Sequence, residues 1–161
     1  MIPKHELDWQ PYSKARLNEL LEEGKPVFVD FTAEWCGTCK TNERLALNSR
    51  LMKTYFEEKG VVTLKADFTD YSPEISEILK QLGNEATAIP YYAYFRQGEK
   101  APVHFNGLFL TPQSFLDKLQ SEETLQKQTA KSKPESSLAP VGSTTTGLRG
   151  AASPLTLVPS R

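Results

Sequence analysis

The chain has 161 residues, with 19 Lys and Arg against 20 Asp and Glu and a formal charge of -1; that is about one domain, with no broad electrostatic footprint for nucleic acid or anionic lipid. The longest stretch free of charged or strongly polar side chains, Ala88 to Phe95, cannot span a bilayer, which takes roughly 20 residues in a helix, and Met1-Ile2-Pro3-Lys4-His5-Glu6 lacks the basic-then-apolar order of a signal peptide. Two cysteines, Cys36 and Cys39, exclude a disulfide-stapled secreted scaffold, and the expectation is a soluble monomer without direct membrane insertion.

Ser13 can cap a first helix whose apolar positions Leu17, Leu20 and Leu21 fall at i, i+3 and i+4, with Gly24 as the stop. Pro26-Val27-Phe28-Val29-Asp30-Phe31 then reads as a strand. Its continuous apolar run suits a strand covered on both faces. A helix is expected from about Cys36. A second helical stretch from Ser49 to Glu58 can be capped by Asn48 and stopped by Gly60. Val61 to Ala66 is the next strand. Ser72-Pro73-Glu74 opens a helix with the stripe Ile75, Ile78, Leu79 and Leu82, ended by Gly83. Tyr91 to Phe95 is a third strand, and its tyrosines Tyr91, Tyr92 and Tyr94 read as core and edge packing. Gln97-Gly98-Glu99-Lys100 turns the chain so that Val103-His104-Phe105 pairs back antiparallel. Thr111-Pro112 opens a last helix carrying Phe115, Leu116 and Leu119. The alternation predicts an α/β fold: a central mixed, mostly parallel sheet with helices on both faces and a closing antiparallel hairpin.

Composition divides the chain into a domain at 1–119 and a tail at 120–161. All 16 aromatic residues lie between Trp9 and Phe115, and 20 of the 42 tail residues are Ser, Thr, Pro or Gly. Such a tail cannot bury enough apolar area to offset an ordering cost of roughly 1–2 kcal/mol per residue. It is expected to be disordered, after a helical continuation to about Lys127.

The chemistry is expected where the first strand meets its helix, at Ala33-Glu34-Trp35-Cys36-Gly37-Thr38-Cys39-Lys40. Two thiols three residues apart at a helix start share one face and can bond. A bare C-x-x-C can be redox-active, half of a metal site, or incidental. A zinc site needs two more ligands, and the histidines, His5 and His104, are 99 residues apart. A purely structural bridge over so short a loop constrains little. Cys36 falls at the helix N-terminus, where free N–H groups favour an anion, and Cys39 lies almost a turn deeper. Bringing a thiol from a pKa of about 8.5 to about 7 takes roughly 2 kcal/mol, within reach of such a position. Cys36 is then the attacking thiolate and Cys39 the resolving thiol. Asp30, in an apolar strand, should have a raised pKa. Trp35 is placed at the rim as a docking wall or lid, and Glu34 reads as a solvated loop charge.

The stretch Val29 to Lys40 resembles the active-site strand and loop of the thioredoxin superfamily. Ile89-Pro90 resembles its cis-proline loop, and Gly107 its glycine before the last helix. Within the superfamily the chain is most similar to the C-terminal soluble domain of DsbD-type membrane thiol:disulfide interchange proteins. That similarity rests on Lys65-Ala66-Asp67-Phe68-Thr69-Asp70, on Leu110-Thr111-Pro112-Gln113-Ser114-Phe115-Leu116, and on Thr38 in place of proline. The resemblance implies a thioredoxin-like fold and a protein-disulfide reductase with no cofactor beyond the Cys36–Cys39 pair. It implies that Asp30 accepts the proton of Cys39 and that Lys65 pairs with Asp30, although a solvated edge lysine is the plain alternative. It further implies that Trp35, Gly37, Thr38, Ile89 and Pro90 contact the partner, with a cis bond before Pro90 whose ring also blocks metal capture. The implied partners are protein dithiols and disulfides: a membrane-embedded electron donor and a periplasmic acceptor domain. The implied compartment is the periplasm. A free thioredoxin-type reductase and a redox sensor that reacts without turnover are the alternatives.

Overall fold

The computed structural model describes residues 5–120; the expected tail past residue 120, with its helical continuation, lies outside them. The strands are β1 (Trp9–Pro11), β2 (Val27–Thr32), β3 (Val62–Asp67), β4 (Tyr91–Phe95) and β5 (Val103–Asn106). The helices are α1 (Lys14–Glu22), α2 (Gly37–Asn42), α3 (Arg50–Lys59), α4 (Pro73–Gln81) and α5 (residues 112–120). A π-helical turn, Glu43–Leu47, continues α2.

The sheet order is β1-β3-β2-β4-β5. β3 is parallel to β1 and β2, and β4 is antiparallel to β2 and β5. The sheet is mixed, as expected, with its antiparallel part beginning at β4 rather than at the closing hairpin. This has a consequence for the site. Antiparallel pairing sets Tyr91 opposite Phe31, so the residues entering β4 lie beside the loop leaving β2.

Every residue of β2 is buried, which explains its unbroken apolar run. Period-two alternation sends its side chains to two cores. Phe28 packs on one face with Phe56, Tyr92 and Phe115. Val27, Val29 and Phe31 pack on the other with Leu20, Leu64 and Leu79. Tyr91, Tyr92 and Tyr94 are all core residues. Asp30 and Thr32 share the Phe28 face by the same alternation, so two polar side chains enter the layer beneath α2.

The helix ends follow side-chain chemistry. Ser13 Oγ accepts from the Arg16 N–H at 3.0 Å, and Ser72 Oγ from Ile75 at 3.3 Å, with Pro73 in the first turn. Thr111 and Ser114 cap reciprocally, each hydroxyl accepting from the other's N–H. Gly60 ends α3 in the left-handed region at φ 65°. One cap differs from expectation: Ser49, not Asn48, caps α3, accepting from the Met52 N–H at 3.3 Å. Asn48 instead closes the π-helical turn, its N–H donating to the Glu43 carbonyl at 2.8 Å, so the new helix starts one residue later. β1 was not expected from the sequence. Three residues ending in proline make a weak strand signal, and the strand forms only because β3 offers a parallel edge.

Candidate active site

Cys36 is the N-cap of α2, and its Sγ accepts from the Cys39 N–H at 3.2 Å. The two sulfurs are bonded, with Cα atoms 5.2 Å apart. Cys36 is 7% exposed and Cys39 1%, so the bond has an outer and an inner sulfur. Ala33 and half-buried Ile89 pack around the pair. The Ile89–Pro90 peptide bond is cis, and Pro90 is buried. Gly37 is exposed and Thr38 half-buried at the first turn of α2.

Trp35 is 65% exposed, but its position is fixed: the indole Nε1–H donates to the Thr69 carbonyl at 3.1 Å. Thr69 also receives the Glu34 N–H at its hydroxyl and is itself held by Asp67. The loop after β3 therefore braces the loop before Cys36. Glu34 is exposed, as expected, and carries an ion pair to Lys40 at 2.8 Å.

Beneath α2, Asp30 is completely buried, and neither carboxyl oxygen makes a hydrogen bond of good geometry with a described residue, although the Glu43 carboxyl lies near enough to act on it. Burial raises its pKa well above the ordinary aspartate value, the neighbouring Glu43 carboxylate raises it further, and the Lys65 and Lys40 ammonium groups pull it partly back. Lys65 stands beside Asp30 in the adjacent strand. Its ammonium, however, donates to Glu43 Oε2 at 3.4 Å and lies 5.2 Å from the Trp9 ring centroid. The implied Asp30–Lys65 pairing is thus corrected to an electrostatic influence, with Glu43 as the lysine's direct partner.

Glu43 was missed in the sequence. It is nearly buried, receives the Thr32 hydroxyl at 2.6 Å, and lies 3.9 Å from Lys40. Its neighbour Asn42 is fully buried too. Adjacent buried polar residues are unusual in a regular helix; here the wider π-helical turn begins between them. The available signal was spacing: Asn42 and Glu43 are at i+3 and i+4 from the buried Cys39, on the same face.

A disulfide-bonded cysteine pair stands at a strand-to-helix junction, with the buried carboxyl groups of Asp30 and Glu43 near the helix it opens. A family model described as thioredoxin-like matches residues 8–97. The chain belongs to the thioredoxin-like family. Over 107 residues it is 33% identical to the thiol:disulfide interchange protein DsbD of Vibrio cholerae, covering 66% of this chain and 17% of that protein. It is 31% identical over 105 residues to DsbE of Haemophilus influenzae, covering 65% of this chain and 51% of that one. The chain therefore spans only part of each relative. Its fold resembles the reduced C-terminal domain of Neisseria meningitidis DsbD, with a TM-score of 0.52 and 24% identity, covering 70% of this chain and 98% of that domain. This thioredoxin-like protein carries the Cys36–Cys39 pair of a disulfide oxidoreductase family.

Proposed function

We propose that the protein is a protein-disulfide reductase that passes two electrons between protein partners through Cys36 and Cys39, a reading supported by its likeness to the thiol:disulfide interchange protein DsbD. The observation that carries this reading is the asymmetric disulfide: an outer sulfur at a helix cap and a more deeply buried inner sulfur three residues on, at the start of the helix that follows the strand carrying Asp30. In the reduced protein the Cys36 thiolate attacks one sulfur of the partner's disulfide. A mixed disulfide forms, and the partner's other sulfur leaves as a thiolate that takes up a proton. Cys39 then gives its proton to Asp30 and attacks the Cys36 sulfur. The partner departs with two thiols, and Cys36–Cys39 is left oxidised. A donor dithiol reverses the sequence on this protein, attacking Cys36 because it is the less buried sulfur. The cysteine pair is itself the redox group.

Trp35, Gly37, Thr38, Ile89 and Pro90 form the partner-facing rim around Cys36. The Ile89 backbone, next to the disulfide and just before β4, offers hydrogen-bonding groups to an extended partner segment. On this reading the donor is a membrane-embedded cysteine pair, the acceptor a periplasmic domain, and the compartment the periplasm. The test has two parts. Dithiothreitol-driven reduction of insulin should proceed with the wild type and stop with Cys36→Ser. Equilibration with glutathione should give a potential near or below that pool, whereas a value near roughly -120 mV makes the protein an oxidase.

A further inference from the structure

Between α4 and β4 the chain runs Leu82-Gly83-Asn84-Glu85-Ala86-Thr87-Ala88-Ile89-Pro90. Asn84 is half-buried, and its N–H donates at 2.9 Å to the carbonyl of Leu79, a fully buried residue of α4. Its side-chain amide clasps Ala88 by both backbone groups. Nδ2 donates to the Ala88 carbonyl at 2.7 Å, and Oδ1 accepts from the Ala88 N–H at 3.1 Å. Beyond Pro90, the Tyr91 hydroxyl donates to the Leu82 carbonyl at 3.3 Å, so both flanks of Ile89-Pro90 are tied to the end of α4. Ile89 itself packs against Ala33, Cys36 and Cys39. Contacts thus run from the α4 core through Asn84 and Ala88 to the disulfide. Ala88 is exposed, where water can satisfy its backbone groups, so the clasp adds little net stability. It does close across Thr87, which sits at φ 49°, a left-handed conformation rare for a β-branched residue. Such a conformation persists where its surroundings over-determine it.

We propose that Asn84 is a positioning residue for disulfide exchange: its amide fixes the Ala88 backbone, and through it Ile89, so that an extended polypeptide partner pairs with Ile89 and no further back along the loop. A side-chain amide offers the same donor and acceptor types as a peptide group. Here it takes the two groups of Ala88 that a paired strand would otherwise use. A partner segment therefore meets one preset residue beside Cys36, and the cost of ordering the loop is met before contact. Small disulfides reach Cys36 without backbone pairing and are indifferent to the clasp. This inference rests on the thiol–disulfide exchange proposed above and adds the residue that sets a polypeptide's register at the cysteine pair.

The experiment compares insulin with hydroxyethyl disulfide, both reduced by the full chain under a regenerating dithiol. In Asn84→Ala the ratio of kcat/KM for insulin to that for hydroxyethyl disulfide should fall about tenfold, the scale of one or two lost hydrogen bonds. The fall should lie in the KM for insulin, with kcat kept. Asn84→Asp keeps the acceptor for the Ala88 N–H and loses the donor to its carbonyl, so its ratio should lie between the two. Thr87→Gly removes no clasp bond and relieves the left-handed backbone; its ratio should stay within about twofold of wild type. An unchanged ratio in Asn84→Ala overturns the proposal, as does an equal loss on both substrates, which marks general damage to the fold. A loss in Thr87→Gly equal to that in Asn84→Ala also overturns it, because stiffness of the loop then matters and the clasp does not. Where Asn84→Ala gives no folded protein, Asn84→Asp decides alone, and a wild-type ratio there overturns the proposal. A wild type that reduces neither substrate overturns the exchange reading and the clasp together.

Discussion

Asp30 makes the most testable single-residue statement in the structure. Its folded pKa is raised, so the native state holds this proton more tightly than the unfolded chain does. The associated stability is complete below the unfolded value of about 3.9 and is lost as pH rises through the raised folded pKa. Asp30→Asn keeps the shape and removes the charge. It should therefore stabilise the protein at pH 7 by on the order of 1–3 kcal/mol, an advantage that shrinks toward pH 4. Urea unfolding of both proteins at the two pH values measures it. The same variant should slow reduction of insulin at pH 7 by on the order of a hundredfold, because in the proposed mechanism Cys39 loses its proton acceptor. Stability and activity then move in opposite directions, which separates a buried functional carboxylate from a structural one.

The π-helical turn Glu43–Leu47 decides how the carboxylates are coupled. It brings Glu43 inward against Thr32 and Lys65, and Glu43 in turn raises the Asp30 pKa. Glu43→Gln should lower the pKa of Asp30 and shift the acidic limb of the exchange-rate profile to lower pH. Stopped-flow rates across pH 5–9 read that shift, and an unmoved limb removes Glu43 from the coupling. The start of α3 is a matter of local capping. Ser49→Ala should cost about 1 kcal/mol and Asn48→Ala less at that helix end, since Asn48 offers the helix no side-chain cap. Thermal unfolding of the two variants distinguishes them.

Across the molecule, β2 links the two cores and the chemistry. Phe28 lies in tilted ring contact with Trp9 and Phe56, stacks on Tyr92 and meets Phe115 edge-on, two residues before Asp30 on the same face. Phe28→Ala should destabilise the fold by about 3–5 kcal/mol, a large share of a typical 5–15 kcal/mol. Denaturant titration at 10 °C checks that value. The helices α1 and α4 cover the opposite face and leave the other to α3 and α5, with the main aromatic core between them and the sheet.

Local chemistry was legible wherever a short pattern dictates it. Ser13 and Ser72 cap their helices, Gly60 takes its left-handed turn, β4 runs from Tyr91 to Phe95, and the C-x-x-C lies at a strand-to-helix junction. Each depends on residues within one or two turns of each other. What required the folded chain were relations between distant segments. β1 exists because β3 has an open edge, β4 runs antiparallel to β2, Lys65 reaches Glu43, and Asn42 spans 65 residues to Gly107. Hydrophobic period and capping are local free energies written along the chain. The partner of a buried polar group is selected only after strands and helices stack, because desolvation then makes each unpaired amide or carboxylate costly and leaves few donors within reach.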